Sequence, residues 1–200
     1  MMGSHGIAPR TKQVPWDEAA HVPFLLRYPK VHGKSGRVAS TPLTTPDIMP
    51  TLLALASVPI PKTVEGADLS AVVREGRENP AHDALYMGVA PFAGRQINKE
   101  YRALRTSRYT YVRSLEGPWL LFDDETDSCQ MKNLAGQAEQ AKLGQELDQR
   151  LQTALKAIHD DFRPAAYYVE KFGYELAPHG SVSYSPGAKV QSPRQAADAP

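Results

Sequence analysis

The sequence predicts an α/β segment followed by an α+β subdomain, in which a small antiparallel sheet carries a long C-terminal helix. Three patterns carry that prediction. Residues 22–28 (VPFLLRY) form a nearly continuous apolar run closed by Pro29, as in a strand buried on both faces. Residues 101–122 hold three short β-prone runs separated by turn signals. Leu143, Leu147, Leu151, Leu155 and Ile158 recur at helical spacing and make one apolar stripe. The expected organisation is an α/β portion over residues 1–80, the α+β subdomain over 81–176 and a disordered tail over 177–200.

The elements follow in order. The run at 22–28 reads as a central strand of a parallel sheet whose neighbours are mostly not in this chain, so residues 1–28 are expected to be poorly anchored. Residues 31–40 (VHGKSGRVAS) form a loop. A helix follows Thr44-Thr45-Pro46, with Asp47 as its cap and Ile48, Leu52, Leu55 and Ala56 on its buried face. Pro50 is expected in its first turn, where a missing N–H is harmless. Residues 58–67 (VPIPKTVEGA) are a proline-punctuated loop leading to a helical turn around 69–73.

Residues 84–87 (ALYM) read as a strand, and 101–106, 109–114 and 119–122 as an antiparallel meander. Ser107-Arg108 and Glu116-Gly117-Pro118 supply its turns. The long helix is expected from about 138 to 159, stopped by Arg163-Pro164, with a last helical turn over 167–174. From Pro178 onward Ser, Gly, Pro, Ala and Gln dominate without periodicity, which predicts disorder.

Bulk properties exclude several classes. A net charge of +1 gives no field for nucleic acid or an acidic membrane, so neither is an expected partner. The one cysteine, Cys129, rules out an internal disulfide framework and a multi-cysteine zinc site. No run reaches the length of a membrane span, and residues 1–20 show no basic-then-apolar signal pattern. The compartment stays open, with periplasm or secretion among the options.

The chemistry-bearing residues crowd at the start. Gly3-Ser4-His5-Gly6 is followed by Arg10, by Lys12, by Trp16-Asp17-Glu18 and then by His21-Val22-Pro23. Further on stand Thr45-Pro46-Asp47-Ile48-Met49-Pro50-Thr51-Leu52, then Tyr101-Arg102-Ala103-Leu104-Arg105-Thr106 with Tyr109, then Asp123 and Asp127 followed by Asn133-Leu134-Ala135. In this order, over residues 3 to about 174, the chain resembles the type I sulfatases of the alkaline-phosphatase-like superfamily, and specifically their C-terminal portion. The resemblance implies a sulfuric ester hydrolase that acts on a sulfated small molecule or carbohydrate. It also implies a formylglycine nucleophile made from a Cys/Ser-x-Pro-x-Arg motif and a calcium ion on hard oxygen ligands. The 200 residues contain no such motif: Cys129 precedes Gln130-Met131-Lys132, and Ser192-Pro193-Arg194 has the wrong spacing. The family's Asp-His-Gly metal turn would stand just before Met1. The expectation is therefore a sulfatase fragment that is inactive alone and holds no metal with its own residues.

By the same resemblance, Lys12 is the sulfate-binding ammonium, a compact charge suited to a tetrahedral anion. Arg10 rivals it, because the stretch between His5 and Lys12 is about two residues longer than usual. His5, between glycines that permit close approach, is placed at the leaving group or a sugar hydroxyl. Trp16 is a candidate sugar-stacking residue. Asp17 and Glu18 are expected to orient Lys12 and cap amides, and His21 to play a structural part.

Arg102, Arg105 and Arg113 are expected in ion pairs. Asp123, Glu125 and Asp127 fail the calcium-loop pattern and read as a turn cluster. The run Tyr86-Met87-Gly88-Val89-Ala90-Pro91-Phe92 is a candidate pocket rim. Two alternatives stay open: a fragment of a related phosphodiesterase or phosphonate monoester hydrolase, and a non-catalytic binding module.

Overall fold

A computed structural model describes residues 2–7, 13–88 and 99–176. The element order is α1 (Asp17–Ala20), α2 (Pro29–His32), α3 (Thr45–Leu55), α4 (Ser70–Glu75), β1 (Ala84–Gly88), β2 (Tyr101–Arg105), β3 (Tyr109–Ser114), β4 (Gly117–Asp123), α5 (Ala141–Ala157) and α6 (Ala165–Lys171). Single 3₁₀ turns lie at Ser4–Gly6 and Ala138–Gln140. No helix among the described residues is long and apolar enough to cross a membrane.

The four strands form one antiparallel sheet in the order β1-β2-β3-β4, so the expected meander is present and the 84–87 strand joins its edge. Alternation sorts its residues to two faces. Leu104, Tyr111 and Leu121 pack on Leu147, Leu151 and Leu155 of α5. Tyr101, Ala103, Val112, Leu120 and Phe122 point the other way, and Trp16 covers them together with Tyr86 and Trp119. Both faces are therefore dry, one against a helix and the other against the N-terminal segment.

Where the N-terminal segment departs from expectation, neighbours explain it. Ile7 and Val14 are buried in one cluster with Trp16, Ala19 and Trp119, so this part is anchored, contrary to the expectation for residues 1–28. Residues 22–28 form no strand, and Leu25 is 94% exposed with Val22 and Phe24 also exposed. An apolar run can be a buried strand only where partner strands exist, and none of the four strands pairs with it.

α3 also departs from its expected face. Thr44 is its N-cap and Asp47 the third residue of a capping box, with the carboxylate accepting the Thr44 N–H (2.8 Å) and hydroxyl (2.7 Å). Asp47, Pro50, Thr51 and Leu55 are buried, whereas Leu52 and Ala56 are exposed. Of the expected face, Leu55 is buried and Leu52 and Ala56 are not, because the helix also docks through polar side chains. The loop before α4 docks through the Ala67 N–H on Asp47 (2.8 Å) and the Leu69 N–H on Thr51 Oγ1 (3.0 Å).

Pro50 lies inside α3 rather than in its first turn. Its missing N–H releases the Pro46 carbonyl from the helix ladder. Gly66 fits against that oxygen, where a Cβ would come within 1.9 Å.

The C-terminal part follows the sequence closely. α5 runs from Ala141 to Ala157 behind the Ala138–Gln140 turn, and α6 is a short helix from Ala165 to Lys171. Arg102 anchors this end. It is 2% exposed, pairs bidentately with Asp160 and lies 4.5 Å from the Phe162 ring centroid. Glu100 accepts the Ala165 N–H at 2.7 Å. The expected disordered tail, 177–200, lies outside the described residues.

Candidate active-site segment

The site is built on a tight turn. Gly3, His5 and Gly6 all have positive φ (109°, 56° and 69°), a run that glycine adopts freely and histidine only where other contacts hold it. Those contacts are visible. The His5 ring stacks on Trp16 at 5.0 Å with an 18° interplanar angle, and its Nε2 lies 3.2 Å from both carboxylate oxygens of Glu18. The His5 side chain is 8% exposed. Its imidazole is thus clamped between an aromatic face and a carboxylate, an arrangement able to hold a proton in a fixed direction.

Trp16 is itself wedged, edge-on to Trp119 at 5.9 Å. Trp119 continues to Tyr101 (6.2 Å) and Tyr101 to Tyr86 (6.3 Å), so the aromatic row runs from the turn across the sheet. Tyr86 donates its hydroxyl to the Pro15 carbonyl at 2.8 Å, and burial pushes its phenol well above the usual range. Burial likewise raises Tyr101 to about 12. Both phenols stay neutral: Tyr86 serves as a donor and packing group, and Tyr101 packs in the aromatic row. Tyr86, part of the candidate pocket rim, holds the N-terminal segment, and residues 89–92 of that run lie outside the described residues.

Asp17 ties the segment to the sheet. Its carboxylate takes two bonds from Arg105 Nη1 (2.8 and 3.0 Å), and Arg105 also reaches Asp124 Oδ2 at 3.1 Å. Gln130 completes the group: Oε1 accepts the Asp17 N–H (2.8 Å), while Nε2 donates to Asp17 Oδ1 (3.1 Å), Asp124 Oδ1 (2.8 Å) and Thr110 Oγ1 (3.1 Å). Asp124 is held above the usual carboxylate range, chiefly by burial, against the lowering effect of Gln130, Arg105 and Thr110. His21 Nδ1 lies 3.5 Å from Asp17 Oδ2 with its side chain mostly exposed.

Of the four site residues read from the sequence, the structure brings His5 and Trp16 together. Arg10 and Lys12 lie outside the described residues, but Ile7 and Val14, which flank them, pack in one cluster. Among described partners, Asp17 and Glu18 orient Arg105 and His5. The three meander arginines pair as expected: Arg102 with Asp160, Arg105 with Asp17 and Asp124, Arg113 with Asp148. Asp123 and Asp127 form the expected turn, Asp123 binding Arg108 and Asp127 accepting the Met131 and Lys132 amides. The sequence reading missed Gln130, Asp124 and Thr110 as supports of the segment. No local pattern marks them, since Gln130 stands 113 positions from Asp17.

A family model described as N-sulphoglucosamine sulphohydrolase, C-terminal, matches residues 3–157. The chain belongs to the sulfatase family. It is 43% identical over 174 residues to an ulvan-active sulfatase of Formosa agariphila, covering 87% of this chain and 34% of that protein. It is 29% identical to an N-acetylglucosamine-6-O-sulfatase of Bacteroides thetaiotaomicron, covering 80% of this chain and 29% of that one. A solved structure in complex with its substrate D-glucosamine-2-N,6-O-disulfate matches with TM-score 0.50 and 29% identity, over 57% of this chain and 24% of the other. The sulfatase chain thus spans about a third of the length of these curated relatives, and its sheet-plus-helix fold is part of their alkaline-phosphatase-like architecture.

Proposed function

We propose that this chain is the C-terminal part of a hydrolase of organic sulfate esters, and that it supplies the sulfate-gripping and leaving-group side of the site. The observation that carries this reading is the His5 imidazole, clamped between Trp16 and Glu18 on the segment that continues to Lys12, in a chain of the sulfatase family. In this reading Lys12 holds the sulfuryl oxygens. His5 keeps Nε2 on Glu18 and serves the leaving oxygen from Nδ1, with Glu18 steadying the charged ring as a carboxylate does in a catalytic triad. Trp16 backs the imidazole with one face and adjoins the substrate with its remaining edge, and Arg10 plays a lesser part.

A sulfated carbohydrate is the inferred substrate. Support comes from the relatives, one bound to D-glucosamine-2-N,6-O-disulfate and another named for N-acetylglucosamine 6-O-sulfate. No group of three or more His, Cys, Asp or Glu among the described residues suits a metal ion, so this chain does not fit as the holder of the calcium that the family resemblance implies. The nucleophile motif is also absent from the 200 residues. Losing members of a catalytic unit removes most of the rate even when others remain. The isolated chain is therefore expected to be inactive.

The test is a side-by-side assay of Lys12→Ala, Arg10→Ala and His5→Ala in a full-length sulfatase carrying this chain, on one activated aryl sulfate and one alkyl or sugar sulfate. Lys12→Ala should lose on the order of 10²-fold or more in kcat/KM on both substrates. His5→Ala should hurt the poor leaving group most, because activated aryl sulfates depart without an acid. Arg10→Ala should be mild. A critical Arg10 with a dispensable Lys12 would move the sulfate grip by two residues and overturn the assignment.

A further inference from the structure

Gln130 has a backbone and a side chain that nothing in the sheet itself requires. It is 2% exposed, and its φ is +54°, a left-handed conformation that a non-glycine residue keeps only where its surroundings over-determine it. Its amide is saturated, with Oε1 taking the Asp17 backbone N–H and Nε2 shared among Asp17, Asp124 and Thr110. Around it stand two carboxylates and one guanidinium, and Thr110 is fully buried beside them. The two carboxylates share one guanidinium, with His21 Nδ1 3.5 Å from Asp17 Oδ2, and the amide N–H groups of Gln130 point at carboxylate oxygens that Arg105 leaves open.

The position of Asp17 gives this cluster its meaning. Asp17 lies between Trp16, on which His5 stacks, and Glu18, to which His5 Nε2 bonds. A residue that grips both the N–H and the carboxylate of Asp17 fixes where those two His5 contacts stand. We propose that Gln130 is the positioning residue of this site: from the turn after β4 it locks the Trp16-Asp17-Glu18 corner and thereby sets the orientation of the His5 imidazole. The proposal rests on the reading of His5 as a site residue, but the clamp acts on structure and is measured without turnover.

The amide is the only neutral side chain of this length that both accepts and donates here. Gln130→Glu keeps the size and turns the donor edge into acceptors facing Asp17 and Asp124. Gln130→Ala removes the clamp altogether. In each variant the corner is released while the sheet, held by Leu104, Tyr111, Leu121 and α5, keeps its core.

The experiment is NMR of the labelled 200-residue chain as wild type, Gln130→Glu, Gln130→Ala and a control, Gln137→Ala, whose side chain donates to the Asn133 carbonyl away from the Asp17 corner. Both Gln130 variants should raise amide exchange of Asp17 tenfold or more and move the His5 ring protons out of the Trp16 ring-current shift. Exchange at Val112 and Leu121 should stay unchanged, and the control should match wild type. In Gln130→Glu the His5 shift should return as pH falls and the introduced carboxyl regains a donor, with wild type at each pH as the reference. Unchanged Asp17 exchange and His5 shifts in both variants would overturn the proposal. So would a parallel loss of protection at Val112 and Leu121, which would make Gln130 a residue of the sheet core. The kinetics of Lys12→Ala and His5→Ala can fail without touching these signals, so the two readings fall separately.

Discussion

Replacing Asp47 by Asn should cost about 2 kcal/mol at neutral pH, and the cost should fade in acid. Burial alone would raise this carboxyl, but His82, the Thr44 N–H and hydroxyl and the Ala67 N–H outweigh it and bring it to about 2 from an ordinary 3.8. The His82 contact is the weakest in geometry: Nε2 is 3.4 Å from Oδ2 and finds no aligned hydrogen-bond partner among the described residues. The three bonds from Thr44 and Ala67 are the firm ones. At 1.36 kcal/mol per pH unit, the depression corresponds to about 2 kcal/mol. Because the folded value lies below the unfolded one, this stability is fully present above pH ~4 and is lost as pH falls towards ~2.

An Asn side chain keeps one acceptor oxygen, which serves either the Ala67 N–H or the Thr44 pair but not both. Urea unfolding of wild type and Asp47→Asn at pH 7 and again near pH 2.5 gives a double difference in which the other carboxylates cancel. The gap should shrink by more than half in acid. An equal gap at both pH values would refute the electrostatic account and leave packing as the cause.

The other expectations concern the core and its fastenings. Leu151→Ala, fully buried in the α5 stripe, should cost about 2–5 kcal/mol by denaturant unfolding, whereas partly buried Leu143→Ala should cost well under half of that. Gly66→Ala drives a Cβ into the Pro46 carbonyl, so the loop before α4 must move, at roughly 1–3 kcal/mol, seen as a lowered Tm and faster exchange of the Ala67 and Leu69 amides. Asp160→Ala should destabilise by about 3–5 kcal/mol because it strands buried Arg102. Adding Arg102→Met should recover much of that loss, and an additive double mutant would count against the pair.

What was legible in the sequence followed from repeating patterns with local causes. The meander announced itself through alternation at Tyr109, Tyr111 and Arg113, and α5 through leucines at every fourth position, because each pattern needs only one apolar neighbour to satisfy it. The run at 22–28 failed as a strand because strand formation depends on partners elsewhere. α3 turned a partly different face inward because hydrogen bonds to Asp47 and Thr51 also fix its docking. At the site, glycines on both sides of His5 marked the turn, since positive φ is written in residue type. Glu18 as its partner and Gln130 as its support were not readable, because a left-handed glutamine and a contact across 113 positions leave no local trace.

The two-sided covering of the sheet has a kinetic consequence. α4 packs on both α2 and α3 between the two halves of the Asp17–Gln130 contact, so the chain leaves the aromatic row, builds a helical cluster and returns. The antiparallel pairs β1-β2, β2-β3 and β3-β4 close connections of at most about a dozen residues, whereas docking the Pro15–Asp17 corner on Tyr86 spans 71 positions and bears the larger entropic penalty. The sheet and α5 should form first and offer a finished surface, and the histidine turn should settle onto it last. An imidazole that acquires its orientation in the final step of folding is also the first to lose it under mild denaturant, well before the molecule as a whole unfolds.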